Sequence, residues 1–383
     1  MDKKFDDIRP YVDSEISEAM NRIANSELLP GIAKFVFPEK ELSEVQKLLR
    51  SFNNIRDFQV GVMYAFNQQV ISRSIENFTY SGTEFLDPAK SYLFVSNHRD
   101  IVMDSSLLQI LLHFEGFRTT EITFGSNLMS SQLIIDIGRS NKMFKVMRGE
   151  SPRDFYKTSL HLSEYIRHTI TERNESIWIA QRSGRTKDGN DATDQGILKM
   201  FCMSGGKDPV HALNTLNIVP VAISYQYEPC DFFKTRELYW SRNGAKYMKE
   251  KNEDLISVLT GITQFKGNVH ISICEPLRQE ELQLSLTEKS PNDFFKNVAN
   301  LINKRIYSNY KLYDTNYIAH DLRSKTNTYA THYTPQSKDK FVERYNQIID
   351  KFDVDKEIAG QILLGIYANS VDHADIRIIN STI

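Results

Sequence analysis

Six short apolar runs between residues 92 and 277 do most to limit what this chain can fold into. They lie in SYLFVSNHRD, EITFGSN, KMFKVMRG, ESIWIAQ, NIVPVAISYQY and GNVHISICEPL. Runs this short, closed by polar turns, suit strands buried on both faces. Helical patterns separate them: DSSLLQILLHF follows the first, and residues 155–171 precede ESIWIAQ. Strands alternating with helices make an α/β sheet with helices packed on it.

The flanks read differently. Ile8, Val12, Ile16, Met20 and Ile23 recur at helical spacing, as do Val45, Leu48, Leu49 and Phe52. A third helix is expected from Phe58 to about Ile75, with Val60, Met63, Phe66 and Val70 on one side. Beyond the last strand, NDFFKNVANLINKRIYSNY is helical, SKTNTYATHYTPQSKDK reads as a loop or linker, and FVERYNQIIDKF and EIAGQILLGIYA form two final helices. The expected division is an N-terminal helical domain (1–75), an α/β domain (76–325) and a C-terminal helical extension (326–383).

Composition narrows the function classes. A formal net charge of -2 gives no global attraction to nucleic acid or to anionic lipid. The three cysteines form no CxxC pair, so neither a disulfide framework nor a zinc pattern is expected, and a reducing cytoplasm fits. The first twenty residues lack the apolar core of a signal peptide, and no apolar stretch approaches the roughly 18–20 residues of a membrane helix. The expectation is a cytoplasmic chain that meets lipid, if it does, from the inner surface of the membrane.

Two strand-end segments carry candidate chemistry. VSNHRDIVMD runs from a strand into a turn with Asn97 and His98, and a helix is expected to start near Asp100. Active sites gather at the carboxyl ends of such strands, and a histidine with a nearby carboxylate is the arrangement of a general base. Asp104 lies six residues after His98, so the two meet only if His98 sits on the turn before the helix. A loop histidine beside a capping aspartate also fits these residues. The second segment, IWIAQRSGRTKDG, ends a strand in a loop with Arg182, Gly184, Arg185 and Lys187. Arginine presents a planar fork of donors to phosphate, and glycine lets backbone amides approach an anion. A solvated basic loop is the alternative. Arg148 closes a third strand, and the proline inside IVPVAISY argues for an edge strand or a bulge. GxSxG, HExxH, GxGxxG and P-loop patterns are all absent from the sequence.

Taken in order, SNHRDIVMD, MFKVMRG, IWIAQRSGRTKDG and IVPVAISY resemble the four motif blocks of the glycerolipid acyltransferases. That family includes the glycerol-3-phosphate and 1-acylglycerol-3-phosphate O-acyltransferases, and the resemblance spans about residues 80–280. It implies a mixed β-sheet flanked by helices. It also implies transfer of a fatty acyl group from acyl-carrier protein or acyl-CoA to the hydroxyl of a glycerol-phosphate-type acceptor, in phospholipid synthesis. His98 would be the base, helped by Asp104, with Arg148, Arg182, Gly184, Arg185 and Lys187 toward the acceptor phosphate. No metal and no organic cofactor is implied. The N-terminal helices also resemble the plastid-type glycerol-3-phosphate acyltransferases. The chain departs from the pattern twice. Asp104 falls one residue late, which leaves Asp100 as a rival partner for His98. Arg182 and Ser183 stand where the third block carries a glutamate. A non-catalytic protein of the same fold that binds acyl-carrier protein or phospholipid is the alternative reading.

Overall fold

A computed structural model describes residues 3–147, 151–286 and 291–381. Seven strands form one mixed sheet: β1 (Ile75–Ser81), β2 (Leu93–Ser96), β3 (Glu121–Gly125), β4 (Met143–Val146), β5 (Ile177–Ala180), β6 (Ile218–Tyr225) and β7 (Gly267–Ile273). Their order is β1-β7-β6-β2-β5-β3-β4, and only the β6–β7 pair is antiparallel.

Alternation of side chains splits the core into two layers. Leu93, Val95, Ile177, Ile179, Ile218 and Ala222 point to one face and pack on Tyr165, Ile166, Phe201, Val298 and Ile302 of covering helices. Phe94, Trp178, Val219, Val221, Ile223, Val269 and Ile271 point to the other and meet Met103, Leu107, Leu108 and Leu111. Those last four belong to helix Met103–Phe114, in which every residue from 103 to 112 is buried. Burial on both faces is why the central strands read as continuous apolar runs.

The helical flanks build cores of their own. Ile16, Met20, Ile23, Val45 and Leu49 join with Phe52 and Phe58, and Leu133 and Ile137 lean on that cluster. At the other end Ile318, Phe341, Ile348, Leu363 and Tyr367 pack together with Tyr239. Among the described residues no helix is long and apolar enough to cross a membrane.

The structure departs from the sequence reading at four places. β1 follows directly on the helical segment that ends at Ser74; in its sequence IENFTYS only Ile75 is buried, and beyond Glu76 half-buried and exposed residues alternate without an apolar run, as in an edge strand. The proline strand is not an edge: β6 pairs with β2 on one side and β7 on the other. Pro220 is tolerated because its nitrogen faces the end of the β7 ladder, where its carbonyl still accepts from Cys274 N at 2.9 Å and only the reciprocal bond is lost. The stretch expected as a loop holds the start of helix Pro335–Ile349, with Thr334 capping Ser337 N and proline in the first turn. Finally, the helix after His98 begins at Met103 rather than near Asp100. The Asp100 carboxylate takes up Val102 N and Met103 N at 2.9 and 2.8 Å, which holds an extra turn ahead of the helix.

Candidate functional site

The site is set by how β2 ends. The Asn97 side chain imitates backbone: its Oδ1 accepts from Ile223 N at 2.8 Å and its Nδ2 donates to Ile223 O at 2.9 Å. That continues the ladder to β6 for one more step while the main chain turns away, so His98 leaves the sheet at its carboxyl-end rim. His98 Nδ1 then meets Asp104 Oδ2 at 2.8 Å.

Asp104 is completely buried and fully occupied. Its Oδ2 also accepts from Arg99 N (2.6 Å) and Asp100 N (2.9 Å), and its Oδ1 accepts from Tyr225 OH (2.7 Å). A carboxylate facing three other donors has no proton to share, so the proton in the fourth bond belongs to Nδ1. Nε2 is left without a hydrogen-bond partner among the described residues. The imidazole is 13% exposed and stands edge-on to Trp178, ring centres 5.6 Å apart. Burial first, and the Asp104 charge second, push the Tyr225 hydroxyl well above its ordinary range, so it stays a donor to that carboxylate. Asp100, the rival partner, does not reach the ring; its second oxygen is buried without a partner, facing Gly261.

The loop after β5 is stitched to this turn. Gln181 N donates to Ser96 O at 2.8 Å and Thr186 N to His98 O at 2.7 Å. Arg185, next to Thr186, is therefore brought to the His98 turn by its main chain, and its side-chain Nη1 is buried with no hydrogen-bond partner. It also adjoins Cys230, whose thiol burial pushes up to about 11, with Asp100 adding and Arg185 opposing. Lys266 is buried on the same side, and burial lowers its ammonium to about 8 against the pull of Asp100 and Cys230.

The other basic candidates are placed differently. Arg182 reaches Asn190 O in its own loop at 3.4 Å, and Lys187 is paired with Glu237 at 2.5 Å. Gly184 takes a left-handed φ of 74° with open space where a Cβ would point, so it shapes the loop without bringing backbone against anything. Arg148 lies outside the described residues. Among the described residues no three His, Cys, Asp or Glu side chains are grouped to hold a metal ion.

Sequence reasoning missed Arg99, Asp191, Glu228 and Tyr225. Arg99 is fully enclosed: Nε and Nη2 bond Asp191 Oδ2 (2.9 and 2.5 Å), Nη1 bonds Glu228 Oε1 (2.5 Å), and Nη2 reaches Ser370 Oγ (3.2 Å). Tyr310 OH adds a bond to Asp191 and Lys234 one to Glu228. Burial alone would lower the Arg99 guanidinium; Asp191 and Glu228 outweigh it and hold it well above its usual value. Asp191 ends below the usual carboxylate range although burial opposes this, because Arg99 and Tyr310 favour its charged form. The cluster ties the turn after β2, the loop after β5 and the segment after β6 to helix Lys356–Ser381.

No protein-family model matches the sequence, and no curated protein matches it. Among solved structures, the chain is similar to the crystal structure of the 1-acyl-sn-glycerophosphate (LPA) acyltransferase, PlsC, from Thermotoga maritima. The match has 12% sequence identity and a TM-score of 0.37, and covers 76% of this chain and 94% of that one. A superposition that loose carries no inference about activity.

Proposed function

We propose that the chain is an acyltransferase that moves a fatty acyl group from a thioester carrier to the hydroxyl of a glycerol-phosphate-type acceptor. One observation carries the reading: His98 is held through Nδ1 by a buried carboxylate, with Nε2 free, on a turn to which the loop carrying Arg185 is hydrogen-bonded. The order of the four motif segments supports it. Nε2 takes the proton from the acceptor hydroxyl, and Asp104 stabilises the imidazolium that forms. The acceptor oxygen attacks the thioester carbonyl carbon. As the tetrahedral intermediate collapses, the C–S bond breaks, and the leaving sulfur takes the proton back from His98. No enzyme nucleophile is required. Arg185 holds the acceptor phosphate, turning a bimolecular encounter into a positioned one. Lys187 contributes only when it exchanges Glu237 for phosphate, and Arg182 from the loop rim.

The donor is acyl-carrier protein or acyl-CoA, and the acceptor is glycerol-3-phosphate or its 1-acyl form. Radiolabelled palmitoyl thioesters of both kinds, offered with each acceptor and with water alone, test the reading. Transfer to one acceptor that is lost in His98→Ala supports it. Arg182 and Ser183 in place of the third block's glutamate keep one second reading, a binding protein of this fold. A folded chain that holds the thioester or the phospholipid and never transfers would establish that instead.

A further inference from the structure

Helix Glu253–Thr263 is packed inside out. Its inward face carries Glu253, Ser257 and Gly261, spaced four residues apart, the first two only 5% and 3% exposed. Its outward face carries Leu255, Ile256 and Leu259, exposed by 49%, 45% and 54%. A helix on a water-facing surface shows the reverse arrangement, apolar inward and polar outward. The inversion is held in place. Glu253 accepts from Arg236 at 3.0 Å and from Tyr247 OH at 2.7 Å, and Ser257 O accepts from Cys230 Sγ at 3.2 Å. Gly261 lies against Asp100 so closely that a Cβ there would sit 2.0 Å from its carboxylate oxygen. In the segments flanking the helix, Met248 and Phe265 are also exposed, by 76% and 48%.

We infer that this outward face docks on the surface of a lipid bilayer carrying anionic headgroups. Three aliphatic side chains within one arc of a helix are the pattern that settles at the headgroup boundary, and an exposed apolar patch of this kind marks an interaction site. The approach to the helix is basic. Lys246 and Lys251 are exposed and have no ion-pair partner among the described residues; of the acidic residues nearby, Asp254 is engaged by Lys249 and Glu253 by Arg236, while the exposed Glu250 has only a 3.9 Å contact to Arg236. Basic side chains flanking an apolar stripe complement an anionic membrane. The inward face touches Asp100 and Cys230, so a bilayer on the outward face lies about one helix diameter, roughly 10 Å, from the His98 turn. The purpose of the docking rests on the acyl-transfer reading, since it brings a lipid phase to the rim where the acyl chain is handled. The docking itself does not.

Sedimentation of the full chain with vesicles tests the inference, using phosphatidylcholine mixed with phosphatidylglycerol, and phosphatidylcholine alone. The wild type is expected to sediment with the mixed vesicles and less with the neutral ones. L255Q/I256Q/L259Q should partition roughly tenfold less or weaker still, with unchanged circular dichroism, because glutamine is a good helix former. K246E/K251E should lose the preference for anionic lipid. Transfer from a short, water-soluble acyl thioester should be the same in all three proteins. A wild type that stays in the supernatant overturns the inference, as does a triple variant that sediments equally, or a chain that ignores vesicles but binds acyl-carrier protein through these residues. Vesicle binding as described, with no transfer from any thioester, would sink the acyl-transfer reading and leave this one standing.

Discussion

His98 and Arg99 are neighbours on one turn and sit in opposite surroundings. His98 has one ring nitrogen tied to Asp104, the other unpartnered, and 13% of its side chain exposed. Arg99 is 3% exposed, and its guanidinium is bound by Asp191, Glu228 and Ser370. The contrast separates two uses of polarity. A buried charge bonded through every one of its nitrogens holds chain segments together and is closed off from a substrate. An oriented group with a free atom at the rim can take up a proton.

The largest expected effect comes from breaking the buried side of this pair. Arg99→Met strands Asp191 and Glu228 without their shared cation and should cost about 3–5 kcal/mol of stability in a denaturant titration. If that variant does not fold, Ser370→Ala, which removes only the 3.2 Å bond, should lose no more than about 1 kcal/mol. His98→Ala inverts the pattern. Stability should change by about 1 kcal/mol or less, because Asp104 keeps its other donors, while kcat for acyl transfer falls by roughly 10²–10⁴. Equal stability losses from His98→Ala and Arg99→Met would erase the distinction.

Smaller effects sharpen it. Arg185→Ala should raise KM for the phosphorylated acceptor about tenfold, the order of a lost charge-assisted hydrogen bond. Lys187→Ala, at a residue already paired with Glu237 near the surface, should raise it by less than about threefold. Tyr225→Phe deletes one of the bonds that hold Asp104. It should lower kcat about fivefold with KM unchanged, since it acts on the base through its carboxylate and touches no substrate.

Much of this architecture is legible in the sequence, for reasons that individual residues make clear. The central strands β2, β5 and β6 show most plainly because every residue in them is buried, which leaves runs such as LFV and IWIA without polar interruption, whereas β3, β4 and β7 show through shorter apolar stretches around Thr123, Lys145 and His270. β1 is hidden because IENFTYS lies at an edge, where alternate side chains meet water. The His98 turn shows because a strand-end histidine followed by aspartates is a local pattern. Its partner does not: Asp100 and Asp104 differ only in where the turn places them, and Asp100 is spent on Val102 N and Met103 N. Arg99 is least legible of all. Set between histidine and aspartate it reads as a solvated turn, and its partners lie 92, 129 and 271 residues further along. Pairing over such separations comes from the topology of the sheet and the return of the last helix, which no local pattern records.

The central claim is that His98 serves as the base for acyl transfer. The most direct measurement follows acylated product by mass spectrometry in a single turnover, with wild type and His98→Ala matched for folding and given the same thioester and phosphorylated acceptor. The account predicts product from the wild type, and from His98→Ala a rate at least about a hundredfold slower. Equal rates from the two proteins, or no product from a folded wild type with any donor and acceptor pair, would contradict it.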